Sequence, residues 1–302
     1  MPEMGVKLGR VNLKNPLLTA SGTFGYGREF GQIYDLSLLG GVVVKGTTLE
    51  PRSGNPPPRI RETAAGILNS VGLQNPGIEQ VINQELPYLA QFDTAIFLNI
   101  AGRKAEEYQE IAARLDKIEL VQALEVNISC PNLEAGGLAF GTEPKMAAAI
   151  TAAVRNATSK PVFVKLSPNV TDIVPIAQAV EAAGADGISL VNTFLGLAID
   201  LNTRRPVMAN IVAGLSGPAI KPLALRLVWQ TAQAVRIPLI GLGGIMSGQD
   251  ALEFMLAGAR AVQIGTANFY NPLAGPQIIR EMAEWLDQEG VKDINEIVGK
   301  AL

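Results

Sequence analysis

Residues 95–129, AIFLNIAGRKAEEYQEIAARLDKIELVQALEVNIS, contain the pattern on which the predicted fold depends. The stretch begins with an apolar run at 95–100 and ends with another at 124–129, and both runs have the length and composition of strands. The segment between them, 106–118, has apolar residues at helical spacing. Strand, helix and strand in succession are typical of α/β proteins.

The same alternation extends over most of the chain. Further helices are predicted at 174–184, where Gly184 suits the C-cap, at 221–235 and at 248–258. Strands that alternate with helices over 302 residues predict a (β/α)8 TIM barrel, which occupies residues 1–302 as a single domain. The other predicted strands are LLTA (17–20), VVVK (42–45), VFVKLS (162–167), ISLVN (188–192), PLIGL (238–242) and AVQIG (261–265).

Three segments interrupt this regular alternation. The opening VKLGRVNLKN, residues 6–15, predicts an N-terminal hairpin that caps the barrel floor. Two long insertions, 49–77 and 193–218, each follow a strand. They are therefore predicted at the C-terminal face of the barrel, where the active sites of such barrels lie.

Composition excludes several kinds of chemistry. One cysteine and no histidine exclude an internal disulfide, a metal or iron–sulfur cluster held by cysteines of this chain, and Ser-His-Asp or Cys-His catalysis. A net charge of −3 with no basic block gives no indication of nucleic-acid or membrane binding. Without an apolar signal core or a membrane-spanning run, a cytoplasmic protein is expected. The charged fraction of 18% suits either an oligomer or a monomer with an alanine-rich core.

Alternation along the strands predicts which polar side chains meet inside the barrel. Asn99, Asn127 and Lys165 lie on the strand faces opposite the apolar ones, and should therefore converge at the top of the barrel, where Lys45 arrives from another strand end. Glu125 should lie one layer deeper and pair with a lysine. These groups could pair only with one another, but four of them on four strand ends favour a bound ligand.

Glycine-rich turns follow the last two predicted strands. GLGGI at 241–245 precedes a helix, and Gly265 and Thr266 end the strand AVQIG. Loops in these positions of a barrel commonly bind phosphate, although ordinary turn glycines would account for either turn alone. The dinucleotide fingerprint is absent, because the pattern that starts at Gly241 fails at Met246. SGTFGYG (21–27) and LSGPAIKP (215–222) add further glycine-rich loops.

The single thiol, Cys130, precedes Pro131, which disfavours a helical conformation at the cysteine. A buried structural cysteine is the usual alternative, but the polar or loop-forming neighbours Ser129 and Asn132 favour a functional thiol above the barrel mouth. A free thiol has a pKa of about 8.5, so lysines, amides or the substrate would have to activate it. The thiol could act as nucleophile or general base, and the lack of evident oxyanion machinery favours a base beside a redox cofactor.

Several motifs together resemble class 1 dihydroorotate dehydrogenases. They are NISCPN, NSVGLQNPG, VKLSPN and the ending GLGGI…GARAVQIGT, and they occur in the order and with the spacing of that family. NPG after GLQ, and GGLAFGT at 136–142, resemble the NAD-linked 1B branch more than the fumarate-using 1A branch. The resemblance implies an FMN-binding (β/α)8 barrel that oxidises (S)-dihydroorotate to orotate in pyrimidine biosynthesis.

The resemblance also assigns roles to individual residues. Cys130 would remove the C5 proton while the C6 hydride goes to flavin N5, Lys165 would balance the negative charge on the reduced flavin, and Lys45 would touch both flavin and substrate. The implied FMN contacts are Ser21, Lys45, Gly46, Asn99, Asn127, Lys165, Val191, Gly217, Gly243, Gly244, Gly265 and Thr266. The implied substrate contacts are Lys45, Asn69, Ser70, Val71, Gly72, Leu73, Asn127, Asn132, Asn192 and Thr193.

In the 1B branch, electrons reach NAD+ through a partner subunit that carries FAD and a [2Fe–2S] cluster, in a heterotetramer. The missing cluster ligands agree with such a partner, but a 1A homodimer that reduces fumarate would lack them too. Two other readings stay open at this point: a flavin-free phosphate-binding lyase or aldolase with Lys165 as Schiff base, and a non-catalytic binding barrel.

Overall fold

The structure is a computed structural model, and it describes residues 2–129 and 140–302. Cys130 and Asn132 lie outside the described residues. The described strands are β1 (Val6–Leu8), β2 (Val11–Leu13), β3 (Leu17–Thr19), β4 (Gly41–Thr47), β5 (Ile60–Thr63), β6 (Gly66–Asn69), β7 (Ala95–Ile100), β8 (Ala123–Asn127), β9 (Val162–Lys165), β10 (Gly187–Leu190), β11 (Phe194–Gly196), β12 (Ile199–Asp200), β13 (Arg205–Pro206), β14 (Ala213–Ser216), β15 (Leu239–Leu242) and β16 (Ala259–Ile264).

The described α-helices are α1 (Ile78–Gln80), α2 (Leu86–Leu89), α3 (Ala105–Asp116), α4 (Pro144–Ala157), α5 (Val174–Ala182), α6 (Lys221–Ala232), α7 (Gly248–Leu256), α8 (Ala267–Tyr270) and α9 (Ala274–Glu289). A π-helical turn, Val81–Glu85, joins α1 to α2. Short 3-10 turns lie at Phe30–Gln32, Leu36–Leu38, Phe140–Thr142, Pro218–Ile220 and Ile294–Ile297.

A closed barrel of parallel strands forms the centre of the molecule, in the order β10, β15, β16, β3, β4, β7, β8, β9. Each of these strands overlaps one of the runs predicted from the sequence, so the predicted (β/α)8 barrel is confirmed. The match arises because barrel strands are covered by helices outside and by side chains inside, which makes them short apolar runs.

The helices around the barrel agree with the prediction in part. α3, α5, α6 and α7 lie within or beside the predicted segments, and Gly184 follows α5 with a φ of +94°, as a glycine beyond a helix end does. The longer helices α4 and α9 were not predicted. In α4 the buried residues Ala147, Ile150, Thr151 and Val154 lie at helical spacing, so this helix could have been recognised from its sequence.

The N-terminal hairpin is present as predicted. β1 and β2 pair antiparallel, and their alternate residues, such as Leu8 and Val11, are buried in the main core. Arg10 at the turn donates to the carbonyl oxygen of Ser159, which precedes β9. The hairpin therefore lies at the N-terminal end of the barrel, away from the face that carries the insertions.

The two insertions meet in one antiparallel sheet of four strands, in the order β11, β14, β6, β5. Strands β5 and β6 come from the first insertion, and β11 and β14 from the second. Leu68, Met208 and Ala213 form a small apolar cluster here, separate from the main core. The sequence predicts the location of both insertions but not this sheet, because its strands are only three or four residues long and partly exposed.

Candidate active site

A cavity of about 860 Å³ opens among the C-terminal ends of the barrel strands and both insertions. Its size lies within the usual range of small-molecule and cofactor sites. Every predicted site residue that the structure describes lines this cavity, whereas Cys130 and Asn132 lie outside the described residues. The described ones are Ser21, Lys45, Gly46, Asn69, Ser70, Val71, Gly72, Leu73, Asn99, Asn127, Lys165, Val191, Asn192, Thr193, Gly217, Gly243, Gly244, Gly265 and Thr266.

Below the cavity wall, the buried carboxylate of Glu125 contacts three polar side chains. Asn99 Nδ2 donates to Glu125 Oε1 at 2.7 Å, and Gln263 Nε2 donates to Glu125 Oε2 at 2.6 Å. Lys165 Nζ lies 3.8 Å from Glu125 Oε1, so the two form an ion pair without a hydrogen bond. We call these four residues the Glu125 cluster. The predicted pairing of Glu125 with a lysine is confirmed, and the lysine is Lys165.

The cluster determines how its two amides are oriented. An ionised carboxylate only accepts hydrogen bonds, so both amides must turn their NH2 groups toward Glu125. Their carbonyl oxygens, Asn99 Oδ1 and Gln263 Oε1, are buried and accept no hydrogen bond from any described residue. Buried polar atoms are usually satisfied, and both residues line the cavity. Both side chains therefore lie at the cavity with an acceptor that no described residue satisfies.

The end of β8 is held by polar contacts. Tyr108, which is fully buried on α3, donates its hydroxyl to the carbonyl oxygen of Asn127 at 2.7 Å. The backbone N–H of Ser129 donates to Asn127 Oδ1 at 3.1 Å, and Asn192 Nδ2 donates to Ser129 Oγ at 3.0 Å. Asn127 and Asn192, predicted to share a ligand, are thus brought together directly before residue 130.

Lys45 lines the cavity near the C-terminal end of β4, two strands from β8 in the barrel. Burial lowers the pKa of its ammonium group below the usual value, and the nearby positive charge of Arg59 lowers it further. An ammonium in this environment gains from an anionic partner, because desolvation and Arg59 both disfavour its charge.

The first insertion supplies the run 69–73. Asn55 Nδ2 donates to the carbonyl oxygen of Ser70 at 3.0 Å, and Asn69 Nδ2 donates to the carbonyl oxygen of Gly214 at 3.3 Å. The second of these bonds crosses to the other insertion. Gly72 and Leu73 both have positive φ, of +77° and +54°. A leucine in this region is uncommon, which marks the run as a constrained segment at the cavity.

The glycine-rich turns that follow the neighbouring strands β15 and β16 both line the cavity. Gly244 has a φ of +83°, and a Cβ there would lie 2.6 Å from the backbone nitrogen of Lys221, so the chain itself requires glycine. At Gly265 a Cβ would meet only ordinary contacts with Ala20 and Thr23. The chain does not require glycine at this position, whereas a ligand lying against the backbone would. Thr266 Oγ1 lies 2.8 Å from Ser216 Oγ, which joins this turn to the end of β14.

The cavity also contains residues that were not predicted. Gln263 is the clearest case, because it lies on the same alternating face of β16 as Gly265 and could have been recognised in AVQIG by the rule that selected Asn99. Asn55 and Asn169 carried no such signal, since both lie outside the barrel strands.

Two other features bear on the class of protein. Residues 2–129 and 140–302 contain no group of three or more His, Cys, Asp or Glu side chains arranged to hold a metal ion. Within the same residues, no helix combines the length and the apolar character needed to cross a bilayer.

Comparison with known proteins identifies the family. The family model described as dihydroorotate dehydrogenase matches residues 4–286. The chain belongs to the dihydroorotate dehydrogenase family. A relative from Desulforamulus reducens, named "Dihydroorotate dehydrogenase B (NAD(+)), catalytic subunit", is 57% identical over 298 residues, which cover 99% of this chain and 98% of the relative. A relative of the same name from Bacillus pumilus is 54% identical over 298 residues, covering 99% and 96%.

A solved structure supports the fold independently. Dihydroorotate dehydrogenase from Eimeria tenella, crystallised in complex with ferulenol, superposes with a TM-score of 0.82 at 22% identity, covering 99% of this chain and 89% of that one. At this identity the likeness concerns the fold alone. The resemblance read from the sequence motifs is confirmed, both for the family and for the likeness to the NAD-linked branch. Members of this family generally depend on FMN.

Proposed function

We propose that this chain is the catalytic subunit of an NAD-linked dihydroorotate dehydrogenase, which oxidises (S)-dihydroorotate to orotate in pyrimidine biosynthesis. The observation that carries the proposal is the convergence of Lys45, Asn127, Lys165 and the run 69–73 on one cavity. The high identity to relatives named as catalytic subunits supports the NAD-linked assignment.

FMN is the proposed cofactor, and the cavity fits it in two respects. Gly265 leaves room for a ligand against the backbone, and Asn99 and Gln263 present buried acceptors that need a donor, such as the N–H of a flavin ring. When bound, FMN would supply the acceptor for the hydride that leaves C6 of the substrate. The residues proposed to hold it are Ser21, Lys45, Gly46, Asn99, Asn127, Lys165, Val191, Gly217, Gly243, Gly244, Gly265 and Thr266.

The proposed substrate site combines amides with one ammonium group. Dihydroorotate has ring amides and a carboxylate, and asparagines can both donate to and accept from the ring edges. Asn127 and Asn192 are joined through Ser129, and Lys45 would balance the carboxylate. Asn69, Ser70, Val71, Gly72, Leu73, Asn132 and Thr193 complete the proposed contacts.

Cys130 is the proposed general base. Its sulfur would take the proton from C5 while the hydride leaves C6, so that the C5–C6 double bond of orotate forms. Cys130 directly follows Ser129, whose N–H is bonded to Asn127, and this attachment supports a base near the substrate amides. Lys165 would stabilise the negative charge that develops at the cavity wall during the reaction, because it is a buried cation that lies in place before the reaction begins.

Transfer to NAD+ would require a second polypeptide. The described residues offer no metal-holding group, and the sequence has no dinucleotide fingerprint. The proposed partner carries FAD and a [2Fe–2S] cluster, and the proposed assembly is a heterotetramer in the cytoplasm.

Anaerobic reduction tests the proposal. The purified chain with FMN should be bleached by dihydroorotate and should reduce NAD+ only when the partner subunit is added. Rapid turnover with fumarate by the chain alone would overturn the NAD-linked assignment. A preparation that binds no FMN, or whose bound FMN is not bleached by dihydroorotate, would overturn the dehydrogenase itself.

A further inference from the structure

The Glu125 cluster connects opposite walls of the barrel. Glu125 is on β8, and Asn99 and Lys165 are on the two neighbouring strands, β7 and β9. Gln263 is on β16, which lies four strands away in either direction around the closed barrel of eight. Its bond of 2.6 Å to Glu125 therefore spans the barrel interior. Three of the four members line the cavity, while Glu125 lies behind them at 0% exposure.

Stability alone does not account for a carboxylate in this position. Barrel interiors are usually filled with branched apolar side chains, and the rings of Phe97 and Phe163 pack against each other at a tilt of 56° inside this one, with centroids 5.4 Å apart. A buried ion pair is at best a weak source of stability, because desolvation of both charges offsets their attraction. The separation of 3.8 Å between Lys165 Nζ and Glu125 Oε1 makes this pair weaker still. We therefore expect the Glu125 cluster to act on whatever binds in the cavity above it.

We infer that Glu125 is a positioning residue, which sets the electrostatic environment of the bound cofactor through Lys165, Asn99 and Gln263. Its charge holds Lys165 at the cavity wall, and its two oxygens fix the orientation of both amides, whose carbonyl oxygens receive no hydrogen bond from a described residue. This inference rests on the proposed function, because the cofactor it concerns is FMN. It adds Glu125, which has no role in the proposed site, and it links Gln263 to that residue as well as to the cofactor.

Two substitutions in the Glu125 cluster should shift the midpoint potential of bound FMN in opposite directions. Glu125→Gln removes a negative charge from beneath the cavity, so the electron-rich reduced cofactor should be favoured and its midpoint potential should rise. Gln263→Leu removes one of the two amides that partly neutralise the carboxylate. More of the negative charge then acts on the cavity, and the potential should fall. A residue with only a structural role would not produce shifts in opposite directions.

The test is a redox titration of the FMN-loaded protein. Wild type, Glu125→Gln, Glu125→Asp and Gln263→Leu are reduced stepwise with dithionite in the presence of reference dyes. For Glu125→Gln we expect a rise of about 30 mV, equivalent to a tenfold change in the ratio of affinities for reduced and oxidised FMN for a two-electron couple. Glu125→Asp keeps the charge and should return the potential toward that of wild type.

Unchanged potentials, or shifts of the same sign in Glu125→Gln and Gln263→Leu, would overturn the inference. If Glu125→Gln does not retain FMN, Gln263→Leu decides alone, and a potential equal to or above that of wild type refutes the idea. The titration uses no dihydroorotate, so it is independent of the proposed reaction. If the two variants shift the potential in opposite directions but the wild-type protein does not oxidise dihydroorotate, Glu125 remains a positioning residue and the proposed substrate is wrong. If the wild-type chain binds no FMN, both the proposed function and this inference are wrong.

Discussion

Replacing Lys165 with methionine should destabilise the protein measurably even without cofactor. Methionine keeps most of the length of the side chain but leaves Glu125 buried without its cation. At the observed separation of 3.8 Å, and with an effective dielectric constant of about 20, the lost attraction is about 4 kcal/mol. Removal of one partner from a buried ion pair typically costs about 3–5 kcal/mol, which agrees.

The measurement is urea unfolding of the apoprotein, because bound FMN would add its own stabilisation. The matched control is the double variant Glu125→Gln/Lys165→Met, in which neither charge remains. We expect the single variant to lose about 4 kcal/mol of unfolding free energy and the double variant to recover about half of it, since a neutral pair has no ion to desolvate. The reasoning is refuted if the single variant is as stable as wild type, or if the double variant is less stable than the single one.

Three further predictions concern the reaction and the ligands. Cys130→Ala should retain FMN and bind orotate but reduce flavin more slowly by about 10²–10⁴-fold in stopped-flow measurements, because a general base contributes about that much; a normal rate would exclude the thiol as base. Gly265→Leu should weaken FMN binding at least about tenfold in a fluorescence titration, because its side chain would occupy the space proposed for the ligand, while circular dichroism stays that of wild type. The affinity for orotate should fall as the pH rises through the pKa of Lys45, because the charged form of the lysine is lost above that pKa. Since burial lowers this pKa, the fall should begin at a lower pH than it would with an ordinary lysine. Lys45→Met should remove this pH dependence of the affinity.

The sequence predicts the barrel well, because each barrel strand is buried on both sides. Runs such as 42–45 and 162–167 are then apolar apart from the residues that line the barrel mouth, and alternation alone selects Asn99, Asn127 and Lys165. Helix α9 was not predicted, although its buried stripe of Ile278, Met282 and Leu286 at four-residue spacing could have been recognised in the sequence.

Contacts between distant segments were harder to predict. In the sheet of β11, β14, β6 and β5, the pairing of β14 with β6 joins residues more than 100 positions apart, through strands too short to give an apolar run. The partner of Glu125 could not be chosen among the lysines, because both the register of β8 with β9 and the inclination of the side chains decide it. The roles assigned to all the site residues stay predictions, as does the single-domain assignment.

The shared sheet of the two insertions limits how this active site can be redesigned. In many barrels the loops at the C-terminal face vary independently, and one can be exchanged without its neighbours. Here β14 is hydrogen-bonded to β6, and the run that follows β6 supplies the proposed substrate contacts. Shortening 193–218 would expose an edge of β6 and release Asn69 from Gly214, so changes in substrate preference would have to be introduced into both insertions as a matched pair.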